Sequence, residues 1–397
     1  THWKPEGAVR PLDEAGRRLL LDTNAELAAR GYRVLAVAWR TAPEPGEPRV
    51  QGLTFLGLVA LEDPVRPGVH DAIARCRAAG IRTLMLTGDQ RATAQAVGRL
   101  LGLEPEAIRS RVSPEDKLDL VAELQARGEV VAMTGDGVND APALARADIG
   151  IAMGRHGTDV AREAADLVLT DDNFATIVAA VREGRVIYAN LRKVVHFLFS
   201  CNLAEVLAVF GAVALGLPAP LLPLQILWVN LVTDVLPAMA LVRDPAEPDI
   251  MRRPPRGPRE ALVTWGFGAR MLAQGALLAA GVLGAYLYVV AAEGPGPRAS
   301  TVAFTALVLV NPWQALSCRS ERQRWWRLPP NWLLLASVAA MVLAQQWATG
   351  WTPLAHLLRT VPLSIADWAI IAVSVLWPSL LLEALKPWRR TAHRSGA

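Results

Sequence analysis

The chain of 397 residues is 52% hydrophobic and 20% charged, with a net charge of +4 and a mean hydropathy of +0.26. That length would accommodate two or three soluble domains, but a positive mean hydropathy argues for a membrane protein. Three scattered cysteines, Cys76, Cys201 and Cys318, exclude a disulfide framework and carry no metal-ligand spacing.

No signal peptide opens the chain, which begins with Thr1 in "THWKPEGAVRPLDEAG" and reads as a piece of something longer. The stretch "DEAGRRLLLDTNAELAARG" predicts an amphipathic helix capped by Gly31, and "YRVLAVAW" a strand. A Pro/Glu/Gly loop at 41–48 leads to the strand "LTFLGLVAL" and the rigid turn "EDPVRPG". Helices are predicted over 69–79, 90–101, 114–127, 139–146 and 158–164. Between them fall the strands "RTLMLTGD", a short one ending at Arg111–Val112, "EVVAMTGDG", "DIGIAM" and "DLVLT". This alternation predicts an α/β domain on a parallel sheet.

Six long apolar runs follow, at about 194–216, 222–242, 262–291, 300–318, 331–349 and 365–385. Each is near the ~20 residues a helix needs to cross a bilayer. Six in succession are poorly explained as buried core helices. Connector 243–260 carries Arg243, Arg252, Arg253, Arg256 and Arg259; connector 319–327 carries Arg319, Arg322, Arg324 and Arg327. The tail carries Lys386, Arg389, Arg390 and Arg394, whereas 217–221, 292–299 and 350–364 hold only Arg298 and Arg359. Basic residues on alternate connectors place the first half and the C-terminus in the cytoplasm. The basicity therefore reads as topology, not as nucleic-acid binding.

Twice a strand runs out into T-G-D, at 87–89 and 134–136. Ligands of open α/β sheets sit beyond the carboxyl ends of the strands, so both turns point to one crevice. Hydroxyl and backbone N–H groups there can hold a phosphoryl group, and Asp carboxylates can hold the Mg²⁺ that neutralises it. Lys117, entering a helix after "RVSPED", offers a point positive charge for the same phosphate. Gly, Asp and Asn also make ordinary turns, and a single T-G-D would favour that reading. Two of them, with Lys117 between and Asp140 one turn beyond Asp136, do not.

In the apolar half, Asn202 and Glu205 are three apart on the first run, and Asn230, Thr233 and Asp234 are spaced by three and four on the second. Those spacings share a helix face. A carboxylate in the hydrocarbon core is costly unless it faces a partner or an ion. Two carboxylates, two amide oxygens and a hydroxyl form a hard oxygen site suited to a divalent ion such as Ca²⁺. Pro223 and Pro237 bracket this second run and free carbonyls to line a cavity. Polar helix-to-helix contact is the competing explanation, and it accounts poorly for two buried acids. His196 reads as an interfacial residue, Trp325, Trp326 and Trp332 as aromatic-belt anchors, and Asp171–Asp172 as a solvated connector.

The strings "MLTGD", "RVSPEDK" and "TGDGVNDAPAL" resemble the phosphorylation domain of P-type cation-transporting ATPases, a branch of the haloacid-dehalogenase fold. "EDPVRPGV" is similar to that family's hinge and "GYRVLAVAWR" to the end of its nucleotide-binding domain. "SCNLAEV" and "LLPLQILWVNLVTDVLPAMAL" resemble the calcium-pump subgroup. The resemblance implies a nucleotide-domain remnant over 1–48, a haloacid-dehalogenase-like domain over 49–190 and an all-α domain of six transmembrane helices over 191–397. It implies that Thr87 bonds phosphoryl oxygens, that Gly88 and Asp89 line the nucleotide and phosphate crevice, and that Lys117 neutralises the phosphoryl group. Asp136 would ligate Mg²⁺, with Asn139 and Asp140 ordering the site. Arg33 and Arg111 match positions that contact ATP, and Asp63 and Arg66 match the hinge.

By the same resemblance the cargo is a divalent cation, Ca²⁺ or as a second candidate Mn²⁺, held by Asn202, Glu205, Asn230, Thr233 and Asp234 across a bacterial plasma membrane. Asn311, followed by Pro312, falls where calcium pumps with two ion sites place a Glu, which implies one ion per cycle or a different ion. The D-K-T-G-T string of the phosphorylated Asp is absent from the 397 residues, as are the K-G-A and T-G-E-S motifs. These are expected upstream, in a missing N-terminal part of the same pump. Segment 102–110 is also shorter than the family's usual connection. Two other readings compete: a dehalogenase-type phosphatase tethered to the membrane, whose one early nucleophile candidate is Asp63 in a D-P turn, and a split or degenerate subunit that turns nothing over.

Overall fold

Asp13 starts the first helix by accepting the Gly16 N–H at 2.8 Å in a computed structural model that describes residues 2–3, 10–40, 53–62, 64–258 and 260–386. Asp63, expected at the hinge, the 41–48 loop and the basic residues Arg259, Arg389, Arg390 and Arg394 lie outside the described residues. The chain divides into two compact units, Thr1–Val181 with Met251–Arg259, and Arg182–Ile250 with Glu260–Ala397.

In the first unit, β1 (His2–Trp3) and β2 (Arg10–Pro11) precede α1 (Glu14–Ala29), β3 (Arg33–Trp39) and β4 (Thr54–Leu61). Gly31, at φ +99°, makes the left-handed turn out of α1 that glycine allows without strain. These four strands form a sheet of order β2-β1-β4-β3, in which β3 and β4 pair antiparallel. A single parallel sheet was expected. Parallel pairing needs a crossover, usually a helix, and the connection from β3 to β4 is rich in proline and glycine instead.

The expected alternation appears after β4: α2 (Val69–Ala78), β5 (Met85–Leu86), α3 (Arg91–Leu100), β6 (Ile108–Arg109), α4 (Pro114–Ala126), β7 (Ala132–Gly135), α5 (Ala141–Arg146), β8 (Ile149–Met153), α6 (Asp159–Ala164) and β9 (Leu167–Leu169). Strands β5 and β6 pair in parallel, as do β7, β8 and β9 in that order. Strand β6 stops two residues short of the expected Arg111, whose φ of +55° cannot continue a strand. Val121, Met133, Ala143, Leu144, Ala152 and Ala161 form the core beneath β7–β9, and Leu86 of β5 packs against it.

The long helix α7 (Phe174–Ala214) begins in the first unit and ends in the second. Its 41 residues extend about 60 Å at 1.5 Å per residue, far beyond the run expected from 194. The second run is interrupted: α8 (Pro223–Trp228), a π-turn at Val229–Thr233, then α9 (Val235–Val242). Next come α10 (Trp265–Glu293), α11 (Pro297–Cys318), α12 (Trp332–Gly350), the short α13 (Thr352–Leu358) and α14 (Ile365–Leu385). Among the described residues, six helical segments are long and apolar enough to cross a membrane. Helix α11 is the core of this unit: 89% of its apolar window is buried, against 33–44% in the other five.

Three expectations need correction. Asp172 is not solvated but only 7% exposed, for reasons given below. His196, expected at a membrane interface, faces neither lipid nor solvent and is 6% exposed: α7 carries it into the bundle, where it bonds Gln274 of α10 and meets the Phe267 ring edge-on at 5.3 Å. Of the three tryptophans, Trp326 and Trp332 are exposed, whereas Trp325 packs against the cluster of Phe197 and Leu334.

Candidate functional site

Beyond β5, Thr87 and Asp89 close a small turn. The Thr87 hydroxyl donates to Asp89 Oδ2 at 2.9 Å and accepts the Asp89 N–H at 3.1 Å. The backbone ties this turn to the segment after β6: Thr87 N–H to Arg109 O, Val112 N–H to Thr87 O and Arg111 N–H to Asp89 O, each at 3.0 Å. Gly88 and Arg111 are exposed beside it. Arg33 is exposed on β3, and its neighbour Tyr32 accepts from Thr93 of α3 at 3.3 Å.

Beyond β7, Asp136 and Asn139 are exposed and Asp140 is buried. Asp140 turns back under the strand end, where Oδ1 accepts from Lys117 Nζ at 2.7 Å and Oδ2 from the Gly137 N–H at 3.3 Å. A Cβ on Gly135 would stand 2.5 Å from that of Asp140, so only glycine lets the turn close this tightly. Lys117 is aimed by the first turn of α4, where Ser113 and Asp116 exchange backbone and side-chain bonds at 2.8 and 3.1 Å. The Ser113 backbone and then its hydroxyl hold the Asp116 carboxyl below the usual carboxylate range. Among the described residues no donor engages the Asp136 carboxylate. A free, exposed carboxylate at a strand end, next to one already neutralised by lysine, suits a hard cation such as Mg²⁺.

Sequence reasoning missed the Asp172 loop. Burial disfavours its charge, but the Arg155 N–H, the His156 ring and N–H and the Gly154 N–H together hold its carboxyl well below the usual range. The bonds run from Gly154 at 2.7 Å, Arg155 at 3.0 Å and His156 at 2.9 Å. Arg66 donates to the Asp172 carbonyl at 3.2 Å. The one sequence signal was an acid after a strand end, which does not distinguish an anchor from a solvated turn.

A second cluster lies in the apolar half. Asp234 sits where the π-turn meets α9, and its Oδ1 accepts from Asn311 Nδ2 of α11 at 2.8 Å. The same amide lies 3.4 Å from the Thr233 hydroxyl, which donates to Val229 O at 2.7 Å. Among the described residues, Asn311 Oδ1 is buried without a partner. Glu205 is 7% exposed, within Coulombic reach of Asp234, and no described hydrogen bond reaches its carboxylate. Thr233, Asp234 and Asn311 are therefore in contact, with Glu205 nearby. Asn202 and Asn230 are exposed, their amides donating to Leu198 O at 2.7 Å and Ile226 O at 3.2 Å. The shared face inferred for Asn230 and Asp234 assumed a regular α-helical step, which the π-turn replaces.

The sequence comparisons agree with this architecture. A profile for the C-terminus of cation-transporting ATPases matches residues 218–388, and one for haloacid dehalogenase-like hydrolases matches 7–148. A calcium-transporting ATPase of Bacillus subtilis is 41% identical over 90% of this chain and 44% of its own length. A probable cation-transporting ATPase F of Mycobacterium tuberculosis is 40% identical over 94% of this chain and 45% of its own. A calcium-transporting ATPase 1 of Yarrowia lipolytica is 36% identical over 97% and 45%. The chain belongs to the P-type cation-transporting ATPases. It is an integral, multi-pass membrane protein that spans about half the length of the curated relatives it matches.

Proposed function

We propose that the chain supplies the magnesium–phosphate site and most of the cation cage of an ATP-driven divalent-cation pump, with Ca²⁺ as cargo. The carrying observation is the buried Asp234–Asn311 contact with buried Glu205 in Coulombic reach, two carboxylates in no ion pair with a basic side chain among the described residues. Their joint charge balances a divalent ion, and Ca²⁺ accepts six to eight oxygens in flexible geometry, whereas Mg²⁺ demands a tight octahedron. Asn202 and Asn230, open on this chain, would complete the cage together with carbonyls from a further helix. In the whole pump the γ-phosphoryl group of ATP would pass to an Asp carboxylate, forming an acyl phosphate that water later hydrolyses. Thr87 and Lys117 would hold the phosphoryl oxygens and Asp136 the Mg²⁺. Gly88, Asp89, Arg33 and Arg111 would line the nucleotide side, and Asn139 and Asp140 would order the turn. The parts fall at 1–48, 49–190 and 191–397, with both ends cytoplasmic.

Equilibrium binding of radioactive Ca²⁺ to the purified chain in detergent, with and without Asp234→Asn, tests the cage. Saturable binding lost in the variant supports it; binding that ignores Asp234 overturns it. Sequencing the locus upstream of residue 1 tests the larger reading, because an in-frame D-K-T-G-T supports the pump and a start codon there supports a split subunit.

A further inference from the structure

The clearest buried charge cluster outside both sites lies around Asp244, two residues beyond α9. Its Oδ2 takes Lys193 Nζ of α7 at 2.7 Å, and its Oδ1 takes Arg319 Nε, just past α11, at 2.8 Å and Asn331 Nδ2, at the start of α12, at 2.9 Å. All four residues are at most 6% exposed. The amides grip backbone as well. Asn190 of α7 donates to Val242 O at 3.1 Å and Asp244 O at 2.8 Å, and Asn331 donates to Ala240 O at 3.0 Å. Arg319 also reaches the Pro329 carbonyl.

These contacts solve a local problem. A helix end leaves its last carbonyls without partners, and α9 has only eight residues joined to α8 through a π-turn, too short to hold its place alone. Side chains from α7 and α12 cap it instead. Three of the four segments that meet at Asp244, namely α7, the end of the second span and the end of α11, are those that carry Glu205, Asp234 and Asn311. Lys193 is twelve residues from Glu205, Asp244 ten from Asp234 and Arg319 eight from Asn311, or roughly 12–18 Å along each helix.

We infer that Asp244 is a positioning residue: its clamp sets the axial register of α9 against α7 and α11, and thereby holds Asp234 and Asn311 in contact beside Glu205. The inference rests on the cation-cage reading for its consequence but not for its mechanics. Partners that orient metal ligands typically change metal affinity about 10–100-fold when removed.

The test uses the full chain in detergent, with Asp244→Asn, and with Asn331→Ala, which removes two grips on this segment without changing any charge. Hydrogen exchange is followed over 235–244, and Ca²⁺ binding is measured in parallel. The expected result is faster exchange over 235–244 in both variants, unchanged exchange over 132–146, and Ca²⁺ affinity weakened about tenfold or more. Unchanged exchange over 235–244 overturns the clamp. Faster exchange with unchanged Ca²⁺ affinity overturns its role in positioning. If the unaltered chain binds no Ca²⁺, the cage reading fails, and the inference is then judged by the Asp234–Asn311 contact: distances between spin labels at 239 and 309 must broaden in both variants, and unchanged distances overturn it.

Discussion

Asn311 Nδ2 lies 2.8 Å from Asp234 Oδ1, an amide of the most buried helix donating to a carboxylate beside a π-turn. Counting charges along the sequence ranks Asn311 as a minor ligand because it brings none. The contact raises its importance, since it is the donor that fixes the carboxylate. In the full-length protein, Ca²⁺ at micromolar levels is expected to stimulate phosphorylation by ATP, and Asp234→Asn to remove that stimulation. Asn311→Ala should raise the Ca²⁺ concentration for half-maximal stimulation about tenfold, as for loss of a group that orients a ligand. Phosphorylation driven by Na⁺ or K⁺ with calcium chelated, and indifferent to Asp234→Asn, would contradict the assignment.

The Lys117–Asp140 pair is largely shielded, with side-chain exposures of 17% and 11%. Removing one member of such a pair strands the other charge, at a cost of about 2–3 kcal/mol for a pair that keeps some solvent. Asp140→Ala should therefore accelerate hydrogen exchange across 132–146 by roughly 30–150-fold, at about 1.4 kcal/mol per factor of ten. Asp140→Asn, which keeps an acceptor for Lys117, should cost less. Equal effects from both variants would show that the charge carries the whole contribution and the retained acceptor none, whereas an Asp140→Asn variant with unchanged exchange would show that the charge itself contributes nothing.

Asp136 is expected to matter for chemistry and not for folding, since it is exposed and unpaired among the described residues. In the full-length protein Asp136→Asn should cut Mg²⁺-dependent phosphoenzyme formation by ~10²-fold or more while leaving the melting temperature unchanged. The 397-residue chain by itself carries no D-K-T-G-T string, so labelled ATP should leave no acid-stable phosphate on it. A labelled band would mean that another carboxylate accepts the phosphoryl group.

The Asp172 loop gives a pH dependence with a definite sign. Its carboxyl titrates below the unfolded value, about 3.9, because the N–H groups of residues 154–156 and the His156 ring favour the anion over the opposing effect of burial. A carboxyl shifted downward by folding stabilises the fold above the unfolded pKa and loses that contribution as pH falls through the folded one. Protease cleavage within 154–157 should stay slow from pH 7 to about 5 and quicken below about pH 4. Asp172→Ala should make it fast at every pH, and a variant that kept the acid-dependent step would show that another group controls the loop.

Much of this protein is legible in the chain because it depends on local order. Six apolar runs mark six spans, since a bilayer demands about twenty apolar residues of any helix that crosses it. The T-G-D turns at 87–89 and 134–136 mark strand ends, because glycine and aspartate are what a tight exit from a buried strand requires. What tertiary structure decided is which of the marked residues meet. Spacing alone placed Asn230 and Asp234 on one face, and a π-turn between them undid the regular step. The sequence put Lys117 and Asp140 at one crevice, but only the turn under β7 makes them a direct pair across 23 residues. Asp172 read as a solvated connector and Asp244 drew no reading at all, yet each is the centre of a buried network. Their donors, the amides of 154–156 and the side chains of 190, 193, 319 and 331, lie up to 87 residues away. A sequence pattern reports the neighbours of a residue along one helix or strand. The partners that neutralise a buried charge come from other elements, and only the packing of those elements selects them.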